Sequence, residues 1–475
     1  MAFRNAPISR ITPLLPLGGL PAIPQTPYSC VKFQSIEILH NKIAFYFPGF
    51  GVNKRREIER LVYEISKREK IPPEKILNSI DSNNFETVKK GLLKRRFPYS
   101  CAHNEAIKPY LPKVGIDPAQ SFDINNSKFN PQKILIEKSA ASSYLNNRFK
   151  AAFPKAAFTE IPSLKSFIRD NRKSGMPSYN KRRDMVFITN ERYDFFKKCP
   201  CTKSAIGCGY HIFNLGFGCI FDCTYCYLQE YNNAPGLIFP ANIDKFFERF
   251  KRYKKPKMRI GTGEFSDSLM LDHITEYSLP IIEFFSKHKN VLFEFKTKGS
   301  NIENLLKAKH GGNIVASWSL NPQRIIDKNE FFTAGLNERI KSAEKCIKAG
   351  YKIGIHFDPV IYFKEWKKEY ANVIDLLFSR IKPWDIAWIS IGTFRFKPEL
   401  KPIIENRFPD NKILDGELLL GYDNKLRYPY GLRYNMYKFL LNALKRHSKK
   451  VPVYLCMEEF EMWKDLNLLH RVGGV

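Results

Sequence analysis

The chain has 475 residues, more than one typical domain, and its 44% hydrophobic and 14% aromatic content excludes a wholly disordered polymer. No run approaches the roughly 18 consecutive apolar residues of a membrane span, and the N-terminal stretch is broken by Pro and Gly and lacks a secretory signal, so a cytoplasmic chain with no membrane partner is expected. Seventy-seven Lys and Arg against 47 Asp and Glu give a net charge of +30, which points to a polyanionic partner, nucleic acid, because released counterions drive such binding.

Residues 1–128 read as a flexible leader, a basic helical extension and a linker. Within them, NKRREIERLVYEISKREK has apolar residues at helical spacing, and two shorter helices follow before a polar, Pro-containing stretch from about 101. Residues 129–205 read as a small α/β unit, opened by the strand KILIEK and the helix SYLNNRFKAAF, with a basic segment at Lys181, Arg182 and Arg183. Over residues 206–400 the apolar runs YHIFNLGF, KMRIGTG, VLFEFKT, NIVASWSL, YKIGIHFDPV and IAWISIGTF alternate with helical patterns, the signature of parallel βα units. Either an incomplete (β/α) barrel or a doubly wound sheet fits, and no Gly-x-Gly-x-x-Gly follows the first strand to favour a dinucleotide site. Residues 401–475 read as a cap holding a basic, aromatic segment, a helix and the strand VPVYLCM.

Ten cysteines in such a chain argue for metal or redox chemistry rather than a disulfide framework. Cys219, Cys223 and Cys226, in FNLGFGCIFDCTYCYLQEY, have Cys-x3-Cys-x2-Cys spacing just after the first strand of the series, where active sites of parallel α/β folds collect. Three thiolates can hold a [4Fe–4S] cluster and leave one iron open to a ligand, since four cysteines normally complete it. A zinc site completed by Cys208 or His211 is the alternative. Cys199, Cys201 and Cys208 form no recognised metal spacing and read as structural thiols, and Cys456 as a core thiol or a substitute hydrogen donor.

The cysteine spacing, with Tyr225 before the third thiol, resembles the radical S-adenosylmethionine superfamily, and Gly261-Thr262-Gly263-Glu264 resembles its Gly-Gly-Glu motif. CTYCYLQ, SDSLMLDHIT, FKTKGSNIENLLKAKH, SWSLNPQRII, AGYKIGIHFDPVI and VYLCME narrow the resemblance to the spore photoproduct lyase family, over roughly residues 130–460. The resemblance implies an incomplete (β/α)6 barrel, with the small α/β unit before it and the cap after it. It also implies a [4Fe–4S] cluster that cleaves S-adenosylmethionine to a 5′-deoxyadenosyl radical, an electron donor such as flavodoxin or ferredoxin, and a carbon–carbon lyase reaction on damaged DNA. It puts Tyr227, Gly261, Gly263, Glu264, Lys298 and Ser319 at S-adenosylmethionine, Tyr225 and Tyr227 in the catalytic site, and Arg427 and Tyr428 on DNA.

One departure stands against the family pattern. A hydrogen-donating cysteine belongs just before Ser266-Asp267, and this chain has Glu264 and Phe265 there. That departure motivates an RNA, peptide or small-molecule substrate as one alternative. A zinc-stabilised nucleic-acid-binding protein without enzymatic activity is the other.

Overall fold

The computed structural model describes residues 36–469 except 125–128, 172–178, 192–195, 203, 232–233 and 254–256. The leader, apart from its end, therefore lies outside the described residues. Strands β1 (Lys133–Glu137), β2 (Ala157–Ile161) and β3 (Met185–Thr189) come first. β4 (Phe196–Lys198) and β5 (Tyr210–Phe213) lead into the cysteine loop, which contains the short β6 (Asp222–Cys223) and is followed by β7 (Leu237–Pro240). Then come β8 (Met258–Gly261), β9 (Val291–Thr297), β10 (Ile314–Ser319), β11 (Glu330–Phe331), β12 (Lys352–Val360) and β13 (Ile386–Thr393), and last β14 (Arg395–Phe396), β15 (Leu419–Leu420), β16 (Leu426–Arg427) and β17 (Val453–Leu455).

The main sheet has the order β17-β13-β12-β10-β9-β8-β5-β4, parallel throughout except for the antiparallel β4–β5 pair. From β5 to β17 neighbours in the sheet follow chain order without the reversal that defines a doubly wound sheet, so the winding runs one way around. All six residues of β10 are buried, as expected for a central strand of a parallel sheet covered by helices on its outer face. Leu336–Lys348 shows how such a covering helix forms. Leu336, Ile340, Ala343 and Cys346 recur at helical spacing on its buried face, and the Glu338 carboxylate accepts the Gly335 N–H at its start.

Two elements depart from the expected division. β17, expected in a cap beyond residue 400, pairs with β13 as a further parallel strand, so the sheet exceeds six βα repeats. β7, expected in the barrel, pairs with β3 and closes the small sheet β2-β1-β3-β7, while β4 from the expected small unit edges the main sheet. The cysteine loop leaves the main sheet from β5 and returns into the small one at β7, so it spans the junction of the two.

Helices Ile36–Tyr46, Val52–Glu69, Pro73–Leu77, Phe85–Arg96 and Pro98–Ala102 build a separate apolar core around Ile58, Leu61, Val62 and Leu92. The first of them was not apparent in the sequence pattern. This unit docks through buried charge: Arg60 binds Glu405 at 2.7 Å and Glu64 binds Lys401 at 2.5 Å, while Arg96 of the same unit braces Glu64 at 2.8 Å. No helix among the described residues is long and apolar enough to cross a membrane.

Candidate active site

The cysteine loop is shaped by close backbone approaches. Gly216 and Gly218 have φ of +133° and +90°, and a β-carbon at Gly216 would lie 2.3 Å from the Ile238 carbonyl oxygen of β7. Hydrogen bonds then fix the loop on three sides. The Gly218 N–H donates to Phe265 O at 2.9 Å, the Ile220 N–H to Met270 Sδ at 3.4 Å, and the Thr224 N–H to Asn329 O at 2.9 Å. β6 pairs with β11, setting Cys223 opposite Glu330.

Asp222, between the first two cysteines, is the anchor. Its carboxylate accepts from Arg182 Nη1 at 3.0 Å and from Arg407 Nη2 at 3.0 Å, and all three side chains are buried. Arg182 also donates to Phe221 O at 2.9 Å, and Arg407 donates to Gln229. The Gln229 amide in turn donates to the carbonyls of Cys223, Thr224 and Cys226 at 3.3, 2.9 and 3.1 Å. Sequence reasoning missed this bracing. Arg182 read only as part of a basic segment, and Arg407 lies 185 residues from its partner.

Cys219 and Cys223 are buried and Cys226 is half-buried. Burial pushes the Cys219 thiol up to about 12 and raises Cys223 and Cys226 as well. Three thiolates on this loop therefore need a cation to offset their charge, which bound metal provides. Among the described residues no three His, Cys, Asp or Glu side chains converge as one metal ion requires. In an iron–sulfur cluster each thiolate takes a separate iron, and Cys219, Cys223 and Cys226 are the residues that could hold one.

The predicted cofactor residues surround this loop at the carboxyl ends of successive strands. Gly261 ends β8 against the Tyr210 ring, and Gly263 approaches the Lys296 stem. The Glu264 carboxylate holds the Lys197 ammonium at 3.0 Å. Tyr227 is 40% exposed and donates its hydroxyl to Glu264 O. Lys298 follows β9 with its ammonium 5.8 Å from the Tyr225 ring centre. Burial opposes its charge, but Glu330 and Cys223 hold its pKa above the usual lysine value. Ser319 ends β10 and is buried, its carbonyl accepting from Arg339 at 2.8 Å. Tyr225 donates to Glu330, which also pairs with Arg339 at 2.6 Å. Despite burial, Arg339 and Lys298 bring the Glu330 carboxyl down to about 2.

Arg427 and Tyr428 are placed differently from expectation. Each is 1% exposed. The Arg427 guanidinium is taken by Asp423 at 2.6 Å and Glu458 at 3.5 Å, and Tyr428 donates no surface group but accepts the Tyr362 N–H at 3.0 Å. Neither side chain reaches a phosphate from this position, and they fix the C-terminal segment instead. On β12, His356 and Asp358 bind Glu294 at 2.7 Å and Arg395 at 3.1 Å. Cys456 accepts from Arg395 at 3.3 Å, and Cys199 and Cys201 hydrogen-bond to each other. Phe265, where the donor thiol is missing, stacks on Phe217 at 4.9 Å.

A family model described as spore photoproduct lyase matches residues 129–461. The chain is 26% identical over 344 residues to the spore photoproduct lyase of Bacillus subtilis (strain 168), covering 70% of this chain and 96% of that protein. It is 29% identical over 327 residues to the spore photoproduct lyase of Geobacillus sp. (strain Y412MC61), covering 66% and 90%. Among solved structures, a spore photoproduct lyase complexed with dinucleoside spore photoproduct superposes with a TM-score of 0.59 at 24% identity, covering 69% of this chain and 99% of that one. A mutant lyase with bound AdoMet and the same dinucleoside gives 0.59 at 23%, covering 69% and 98%. These superpositions share the α/β fold with a curled half-barrel sheet.

Proposed function

Because the chain belongs to the spore photoproduct lyase family, we propose that it is a radical S-adenosylmethionine enzyme that reverses a thymine lesion of the spore-photoproduct type in DNA. The observation that carries this reading is the braced loop. Asp222, clamped by Arg182 and Arg407, fixes the loop that carries the three cysteines, next to β8 and β9 whose ends carry Glu264 and Lys298. We read that sheet, with β17 included, as an incomplete (β/α) barrel carrying the small α/β unit on its N-terminal side.

Cys219, Cys223 and Cys226 would hold a [4Fe–4S] cluster, and Glu264, Gly261, Gly263, Lys298, Ser319 and Tyr227 would line S-adenosylmethionine. When bound, the pair supplies one-electron cleavage of the sulfonium to a 5′-deoxyadenosyl radical, with electrons from a flavodoxin- or ferredoxin-type donor. The chain's own residues orient and shield that chemistry. Glu264 binds the amine, Lys298 offsets negative charge beside Cys223, and Tyr225 walls the site with its hydroxyl committed to Glu330. Hydrogen transfer is assigned to Tyr227, the more exposed of the two tyrosines, whose hydroxyl donates to Glu264 O.

The family relation favours DNA over an RNA, peptide or small-molecule substrate. The test is anaerobic turnover of a dinucleoside spore photoproduct with reductant and S-adenosylmethionine. Release of two thymidines from the dinucleoside supports the reading, and intact dinucleoside beside continued S-adenosylmethionine cleavage moves it to a different substrate.

A further inference from the structure

With Arg427 and Tyr428 internal, the contact surface for a long DNA must lie elsewhere. A groove of about 500 Å³ opens between helix Trp366–Arg380, helix Tyr430–His447 and the N-terminal helical unit. Four aromatic rings line it, Tyr99, Tyr362, Trp366 and Phe439, together with the ammonium-bearing Lys367 and Lys438. The described lining holds two ammonium groups and no carboxylate. Lys364 and Lys368 are exposed on the same segment. Of the acids there, Glu369 pairs with Arg324 at 3.6 Å and only Glu365 points outward with them.

Trp366 belongs to the buried core, whereas Tyr362 stands exposed and Tyr99 half-buried. Trp366 meets Phe439 edge-on at 5.1 Å, and Tyr362, 38% exposed, lies 6.3 Å from Trp366. Tyr99 stacks on His103 at 4.0 Å, and its hydroxyl accepts from Asn435 at 3.2 Å. Glu105 fixes the junction by accepting the N–H groups of Tyr430 and Gly431 at 2.8 and 2.9 Å, which closes that helix start to any other anion. Tyr362 follows the carboxyl end of β12 by two residues, so the groove begins at the rim on which the candidate active site opens.

Aromatic faces flanked by lysines are what a nucleic-acid strand selects: bases stack on rings, and phosphates take the ammonium groups. We propose that this groove binds the DNA flanking the lesion. In it, Lys367 and Lys438 contact phosphates, Tyr362 and Tyr99 supply stacking surfaces, and the N-terminal helical unit, outside the family match, completes one wall. The proposal rests on the DNA reading above, and substrate length separates the two.

The test compares a dinucleoside spore photoproduct with a duplex of about 20 base pairs carrying one such lesion, using the full chain, the Lys367→Ala/Lys438→Ala double variant and Tyr362→Ala. Expected is a KM for the duplex raised about tenfold, with kcat and dinucleoside turnover unchanged. Anisotropy titration of undamaged duplex should show the salt slope, log K against log salt, reduced by about two in the double variant. Unchanged duplex KM and salt slope, or equal losses on duplex and dinucleoside, would overturn the groove assignment. Wild-type failure on the dinucleoside would instead strike the lyase reading, while the anisotropy slopes still judge the groove.

Discussion

Asp222 sits between two guanidinium groups inside the protein, so its neutral replacement leaves two buried cations facing each other. Removing one partner from such a network costs about 3–5 kcal/mol. Asp222→Asn should therefore lower the urea midpoint of the apoprotein and reduce iron uptake, and a variant with wild-type stability and iron would show that the clamp is dispensable. Cys219→Ala, Cys223→Ala or Cys226→Ala should each remove most iron and abolish 5′-deoxyadenosine formation, read by elemental analysis and chromatography. A Cys219→Ala protein with full iron and full cleavage would refute the ligand assignment. At this scale the cysteines were legible because their function is local: three thiols within eight residues declare themselves by spacing. Arg427 and Tyr428 were not, because a basic, aromatic segment reads the same whether it faces solvent or a buried carboxylate. The buried carboxylates of Asp423, four residues before Arg427, and Glu458, 31 residues after it, decide it.

The cysteine loop works as an element only if it can lie against β7. Gly216→Ala forces a β-carbon into the Ile238 carbonyl at an unfavourable φ, so iron loading should fall severalfold even though no ligand changes. Iron equal to wild type would mean that the loop tolerates another path. The N-terminal helices dock through Glu64, whose carboxyl Lys401, Arg96 and Arg60 hold down at about 2 against the opposing effect of burial. The folded value lies below that of an unfolded glutamate, so this stabilisation is complete above about pH 4.5 and is lost as pH falls towards 2. The loss is on the order of 3 kcal/mol. Glu64→Gln should thus destabilise the protein at pH 6 and flatten its acid-side decline, and parallel urea-midpoint profiles for the two proteins would contradict the assignment. Elements were legible where periodicity is local, as in β8, β9, β10, β12, β13 and Val52–Glu69. Partnership was not: β7 and β17 look like their neighbours in sequence, and only long-range pairing assigns β7 to the small sheet and β17 to the large one.

At the scale of the whole molecule, the net charge of +30 and the one-way winding of the sheet converge on one reading. The winding gathers the carboxyl ends of seven parallel strands around the cysteine loop, and the charge draws a polyanion to the surface around it. Affinity for undamaged duplex should therefore fall steeply between about 50 and 200 mM salt, as expected when several phosphates are neutralised, and flat titrations would remove the electrostatic part of the account. Composition announced this charge at once, but not where it acts, because the groove lysines come from two helices that meet only in the fold. Together these parts would carry out radical repair of a thymine lesion. Its most direct measurement is anaerobic incubation of reconstituted protein with dithionite, S-adenosylmethionine and a spore-photoproduct oligonucleotide, with mass spectrometry of the DNA and of the cofactor products. The account predicts restored thymines that depend on S-adenosylmethionine and on Cys219, Cys223 and Cys226. An intact lesion in an iron-loaded protein that cleaves S-adenosylmethionine would contradict it.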